Sequence, residues 1–249
     1  MKKNIIALSL LAPMAVQSAW AAKKAKTDPN RPNVIIIFAD DLGYGDLGCY
    51  GAKNVKTPNV DRLAEQGIRF TDTHAVAATS TPSRYSLLTG EYAWRRPDTD
   101  IAAGNAGMII KPGQFTMADM FKSRGYSTCA IGKWHLGLGE KQGTQDWNAQ
   151  LPMGLGDLGF DYHYIMAATA DRVPCVFIED GKVANYDPSA PIEVSYFKNF
   201  PGEPTGKNNP ELLYNMKSSH GHNTCQWRKY GSPDCGTYQP LYNPPDELS

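Results

Sequence analysis

Asn33-Val34-Ile35-Ile36-Ile37-Phe38-Ala39-Asp40-Asp41-Leu42-Gly43-Tyr44-Gly45-Asp46 joins an unbroken β-branched and aromatic run to a pair of carboxylates. With Pro32 before it and Gly43 and Gly45 after it, Val34 to Phe38 has the composition of a strand buried on both faces of a parallel sheet. Open α/β sheets bind ligands beyond the carboxyl ends of their strands, so Asp40 and Asp41 are expected at a site.

Outward from this run the chain alternates helix and strand signals. Thr57 and Pro58 suit the N-cap and first position of a helix, with Val60, Leu63 and Ala64 on one face and Gly67 as its stop. A strand, Ile68 to Phe70, should follow. Pro82 or Ser83 should open a second helix that carries Arg84, Leu87 and Leu88 and ends near Gly90. Residue 80 then lies at a strand-to-helix corner, close to a positive helix terminus suited to an anion. Thr116-Met117-Ala118-Asp119 reads as a capped helix start, with Met117, Met120 and Phe121 as its apolar stripe. Tyr126 to Ile131 reads as a strand that delivers Lys133 and His135 at its end. In an extended segment those two point to one side and Trp134 to the other. The alternation predicts an α/β fold with a mostly parallel sheet flanked by helices. Beyond Gly143 the periodicity fades, and Ala184 to Pro210 is rich enough in Pro, Asn and Gly to form long loops.

Ser80-Thr81-Pro82-Ser83-Arg84, followed by Tyr85-Ser86-Leu87-Leu88-Thr89-Gly90, would alone be an ordinary turn into a helix. Taken with residues 33–46 and with Gly132-Lys133-Trp134-His135-Leu136-Gly137, in this order and at this spacing, it resembles the signature of type I sulfatases. The resemblance covers about Arg31 to Asp171, and more loosely the stretch to His222. It implies an alkaline-phosphatase-like architecture, incomplete in this chain, and a sulfuric ester hydrolase acting on sulfated glycans or aryl sulfates.

The resemblance also implies that Ser80 is oxidised to formylglycine (3-oxoalanine) by a Ser-type sulfatase-maturating enzyme. The chemistry explains the need. A plain serine that attacked sulfur would keep the sulfate as a stable ester, whereas an aldehyde hydrate has a second hydroxyl that can expel it. By the same resemblance, Asp40, Asp41 and residue 80 hold one divalent cation, Ca²⁺. Arg84, one helical turn after residue 80, stabilises its oxyanion. Lys133 contacts a sulfate oxygen, and His135 hydrogen-bonds the nucleophile, assisting its deprotonation or the final elimination. Thr169 is a weaker candidate for sulfate binding, and His220 with His222 reads as a surface pair. Two other readings stand beside this one: a phosphoester hydrolase of the same superfamily using unmodified Ser80, and a non-catalytic secreted fragment.

The remaining features set bounds. At 249 residues the chain is long enough for one large α/β domain, and Lys+Arg 25 against Asp+Glu 25 leaves no net field to favour nucleic acid. Residues 1–21 read as a signal peptide: Lys2 and Lys3, an apolar core from Ile5 to Val16, and Ala19-Trp20-Ala21 as cleavage site. That core is shorter than the roughly 20 residues of a membrane span, so the mature protein is expected in the periplasm or secreted, with no membrane span. Residues 22–222 read as a partial sulfatase N-terminal catalytic domain, and residues 223–249 as an irregular, frameshifted tail without strand or helix. The expectation is a truncated form with impaired activity, lacking a further Asp-Asn metal pair. Five cysteines leave at least one unpaired, and Cys129 reads as a small buried thiol.

Overall fold

The β1 strand (Cys129–Lys133) and the β2 strand (Tyr162–Met166) pair in parallel, with Ile131 opposite Tyr164. The β3 strand (Phe177–Glu179) and the β4 strand (Lys182–Val183) continue the sheet antiparallel, giving the order β1-β2-β3-β4. This is a computed structural model, which describes residues 31–169 and 172–195 and the backbone of 226–229. The chain divides into two units, Met1–Pro58 and Asn59–Ser249. The sheet belongs to the second.

In that second unit the α/β class holds, with a mixed rather than mostly parallel sheet among the described residues. Helix α1 (Pro58–Gln66) starts where Thr57-Pro58 predicts. Helix α2 (Ser80–Thr89) begins two residues earlier than expected, with Thr79 as N-cap, and stops at Gly90 in the left-handed conformation (φ 71°). Pro82 falls in the first turn, where its missing N–H costs nothing. Helix α3 (Met117–Ser123) is closed by a capping box: the Thr116 hydroxyl accepts from the Asp119 N–H (3.2 Å), and the Thr116 N–H donates to the Asp119 carboxylate (3.0 Å). The buried residue of α3 is Ala118, whereas Met120 is 45% exposed.

The core gathers Tyr85, Met108, Ile110, Trp134, Leu136, Leu155, Leu158, Ile165 and Ile178, all at least nine-tenths buried. It forms beneath the C-terminal end of β1, because the strand runs on into Trp134 and Leu136. The loop 106–109 is laced to 136–139 by backbone bonds from Ile109 N–H to Leu136 (3.0 Å) and from Leu138 N–H to Ala106 (3.0 Å). Gly137 makes this possible: its φ is +73°, and a Cβ there would strike the Gly107 carbonyl.

Several expectations are corrected. Ile68 to Phe70 forms no strand, and Ile68 is 84% exposed. Cys129 is exposed, on the same face of β1 as the exposed Ile131. Residues 226–229, expected to be irregular, form the β6 strand (Gln226–Lys229), antiparallel to the β5 strand (Ile192–Ser195). The proposed signal peptide, His220 and His222, Cys225 and Cys235 lie outside the described residues.

In the first unit, Val34 to Phe38 forms no strand, and Ile35 and Ile37 are exposed. The composition records a capacity for burial between two neighbours; a parallel strand exists only once such neighbours hydrogen-bond to it. Residues 31–58 contain no strand. They fold locally instead into two 3-10 turns, Tyr44–Asp46 and Gly48–Tyr50, the second tied down by the Gly48 N–H to the Thr57 hydroxyl (2.7 Å). Among the described residues no helix is long and apolar enough to cross a membrane.

Candidate active site

Ser80 is the first residue of α2, and Arg84 follows one turn later, on the same helix face. That spacing lets the Arg84 Nε–H donate to Ser80 Oγ at 3.0 Å, while a terminal nitrogen of the same guanidinium donates to the Lys133 carbonyl at 2.8 Å. One planar group therefore ties the start of α2 to the end of β1. On the other side of the hydroxyl, His135 Nδ1 lies 2.9 Å from Ser80 Oγ.

The tautomer of His135 follows from its second bond. Nε2 is 2.9 Å from the Ala102 carbonyl, which can only accept, so Nε2 carries the proton. Nδ1 is then the acceptor, and the Ser80 hydroxyl donates to it. Burial is the main cause that lowers the His135 pKa from 6.5 to about 4. The bond to Ala102 opposes this, and the charges of Arg172, Lys133 and Arg84 add to it. His135 is 1% exposed and neutral at ordinary pH.

A second set of bonds fixes the imidazole in place. Thr81, fully buried, donates from its hydroxyl to the His135 carbonyl (3.0 Å) and accepts from the Ala102 N–H (3.0 Å). The residue that presents His135 and the residue that accepts from its ring are thus clamped by one side chain next to Ser80. The β1–β2 ladder continues into the site, through the Trp134 N–H to Met166 (3.0 Å) and the His135 N–H to Ala167 (3.1 Å). Trp134 turns into the core, meeting Phe160 edge to face and donating its indole N–H to the Gly137 carbonyl (2.9 Å).

Ser80, Arg84 and His135 are therefore brought together, with the Lys133 backbone. The same-side argument for Lys133 and His135 does not apply, because the strand ends at Lys133 and His135 has φ +58°, outside the extended region. It is the turn at His135 that delivers its ring to α2. Thr169 is buried, and its hydroxyl accepts from Arg172 at 3.0 Å. Arg172 was not singled out in the sequence; its charge is the largest of the three cationic influences on His135. Thr81 and the Ala102 carbonyl were also missed. A threonine inside the Ser-Thr-Pro-Ser-Arg stretch could have been suspected, but a backbone carbonyl leaves no sequence signal.

Asp40 and Asp41 belong to the first unit. Both are exposed, and Asp41 adopts the left-handed conformation (φ 55°). Adjacent carboxylates supply the hard oxygen donors that Ca²⁺ takes, but Ca²⁺ takes six to eight of them. Among the described residues no group of three or more His, Cys, Asp or Glu is assembled. The donor type of the pair suits such an ion, and two carboxylates supply only part of the oxygens it takes.

Comparison with known proteins gives one answer. Over 225 residues the chain is 50% identical to an N-acetylgalactosamine-6-O-sulfatase of Bacteroides thetaiotaomicron, a match covering 89% of this chain and 44% of that relative. Human arylsulfatase A is 45% identical over 131 residues, which is 51% of this chain and 25% of the relative. A solved structure from work on glycosaminoglycan metabolism by Bacteroides thetaiotaomicron superposes with a TM-score of 0.74 at 47% identity, covering 87% of this chain and 45% of that one. The chain thus spans less than half the length of these relatives. A family model described as Sulfatase matches residues 32–175, more than half of the sequence, and the chain belongs to the sulfatase family.

Proposed function

We propose that this chain carries the nucleophile half of an enzyme that hydrolyses sulfate monoesters, with a sulfated glycan as natural substrate and aryl sulfates as simple surrogates. The observation that carries this reading is the Ser80 oxygen held between a proton acceptor, His135 Nδ1 at 2.9 Å, and a cationic donor, Arg84 Nε at 3.0 Å. An oxygen so placed has somewhere to send its proton and a charge to meet the anion it becomes. Fifty per cent identity to an N-acetylgalactosamine-6-O-sulfatase supports a 6-O-sulfated amino sugar as the substrate class.

Sulfatases generally use formylglycine and Ca²⁺. We assign Ser80 as the residue oxidised, by a Ser-type maturating enzyme, and Asp40 and Asp41 as carboxylates that would hold the ion. The hydrated aldehyde would supply a second hydroxyl on one carbon, and a bound Ca²⁺ would supply Lewis-acid chemistry. The chain's own residues do the rest. His135, neutral and fixed by Ala102, accepts the proton of a hydroxyl on residue 80. Arg84 donates to the oxygen on that residue and keeps α2 in register with β1 through Lys133. Lys133 and Arg172 add positive charge on the side of His135, where a sulfate anion gains from it. We place the reaction in the periplasm or outside the cell, on the basic, apolar and Ala-Trp-Ala segments of residues 1–21.

Coexpression with a Ser-type maturating enzyme tests the assignment. The peptide containing residue 80 is expected to lose the mass of two hydrogens, and the protein to turn over an aryl sulfate in the presence of Ca²⁺. Ser80→Ala should abolish turnover while leaving the far-UV circular dichroism unchanged. An unmodified peptide, with a phosphate ester cleaved in preference to the sulfate, would overturn the reading.

A further inference from the structure

Immediately after α2 the chain exposes an aromatic pair on a rigid support. The Tyr92 and Trp94 rings stack with centroids 5.7 Å apart and planes inclined at 25°. The Arg95 guanidinium lies 5.5 Å from the Trp94 ring centroid. Even with both neighbours touching it, Trp94 is 74% exposed, so most of its surface meets water.

The support beneath them is fully bonded. Ala93, buried, donates its N–H to the Ser86 hydroxyl of α2 at 3.1 Å. The buried Thr99 hydroxyl donates towards the carbonyls of Ala93 (2.7 Å) and Arg96 (2.9 Å), closing the turn Ala93–Arg95 from below. Fixing two large rings in solvent on such a base leaves an apolar surface that a flat partner would cover. Charge says which partner. Arg96 pairs with Asp98 at 3.6 Å, and Glu91 accepts from the Tyr85 hydroxyl at 2.9 Å. Among the described residues Arg95 has no carboxylate partner, so the cation beside the rings is available to an anion.

We propose that Tyr92, Trp94 and Arg95 form a subsite for a second sugar of a sulfated glycan, apart from the sugar that carries the reacting sulfate. This rests on the activity proposed for Ser80. The C–H face of a pyranose stacks on an aromatic ring as other apolar surfaces do, and a sulfate takes paired hydrogen bonds from a guanidinium. The turn is anchored at Ser86, and at 1.5 Å of rise per residue that point lies about 9 Å along α2 from Ser80. A chain of a few sugars is longer than that interval and can meet the turn while one of its sulfates lies at residue 80.

Calorimetric titration of the full chain in the Ser80→Ala background tests this, using a hexasaccharide containing 6-O-sulfated N-acetylgalactosamine and its desulfated counterpart. Trp94→Ala is expected to weaken hexasaccharide binding about tenfold, and Trp94→Phe to restore most of the loss. Arg95→Gln should weaken binding of the sulfated chain and leave that of the desulfated one unchanged. In the Ser80 protein, Trp94→Ala should leave aryl-sulfate turnover as it was. Undetectable binding of the hexasaccharide, equal affinity with and without Trp94, or equal losses for the hexasaccharide and for 6-sulfated N-acetylgalactosamine itself would overturn the subsite. So would sedimentation showing that Trp94→Ala abolishes self-association, since a second copy would then be the partner. Absent turnover with Trp94-dependent glycan binding refutes the proposed activity and spares the subsite; turnover with Trp94-independent binding does the reverse.

Discussion

Arg84 makes two bonds that no other side chain at its position reproduces: Nε to the Ser80 oxygen, and a terminal nitrogen to the Lys133 carbonyl. A lysine there keeps the charge but presents one point donor instead of a planar fork, so it reaches one partner or the other. Arg84→Lys is therefore expected to lower kcat for an aryl sulfate by about a hundredfold, with KM changed far less, because the lost contact is to the proposed nucleophile. Steady-state kinetics on the matured protein checks this; a kcat within a few-fold of the parent contradicts the role given to Nε. His135 shows the complementary point. Its function as acceptor depends on a bond made at its other nitrogen, to a carbonyl thirty-three positions away in sequence. Thr81 holds both ends of that bond.

At the scale of elements, α2 and α3 differ in what starts them. Helix α2 has Thr79 as its N-cap with no side-chain cap bond, and its first turn is occupied by Ser80, Thr81 and Pro82, of which Ser80 and Thr81 bond to His135. Helix α3 has a full capping box, and the Thr116 hydroxyl also donates to the Leu158 carbonyl at 2.8 Å. Thr116→Ala removes the cap and leaves a buried carbonyl without its donor. It should cost about 2 kcal/mol, read as a lowered midpoint in urea at unchanged slope. The strand β1 is the other element whose position has consequences: among the described residues no strand pairs with its outer side, and Ile131, 74% exposed, and Cys129, exposed, share one of its faces.

For the molecule as a whole, buried histidines set the response to acid. His135 is 1% and His163 5% exposed, and burial lowers the pKa of both from 6.5, His135 to about 4. Asp180, 3.5 Å from the His163 ring, only partly opposes the shift. Burial holds His135 neutral in the folded protein down to about 4 and makes His163 take up its proton at lower pH than a free imidazole, while the unfolded chain begins to take up protons near 6.5, so the unfolded state binds more protons below that pH. Stability therefore falls as pH drops through 6.5, and the contribution of His135 levels off below about 4. The span corresponds to on the order of 3 kcal/mol for His135. Thermal unfolding scans should show a lower Tm at pH 4.5 than at pH 7, and a flat Tm over that interval contradicts the assignment. Activity should carry an acid limb at the same residue, since His135 accepts a proton only while neutral.

The sequence by itself determined what depends on neighbours along the chain. The ends of α1 and α3, the Gly90 stop of α2, the capping pair Thr116 and Asp119, and the one-turn separation of Ser80 and Arg84 are all short-range, and each follows from side-chain chemistry within a few positions. Family membership was legible for the same reason, because the three signature stretches are each continuous in sequence. Tertiary structure alone decided the rest. Val34 to Phe38 and Ile68 to Phe70 have strand composition but no strand, since a strand is made by its neighbours and not by its own residues. The turn that swings His135 onto α2, the Ala102 carbonyl that sets its tautomer, and the approach of Arg172 all join parts of the chain that sequence spacing does not relate. Local rules carry the elements; the proton acceptor exists only because packing closes distant segments around one hydroxyl.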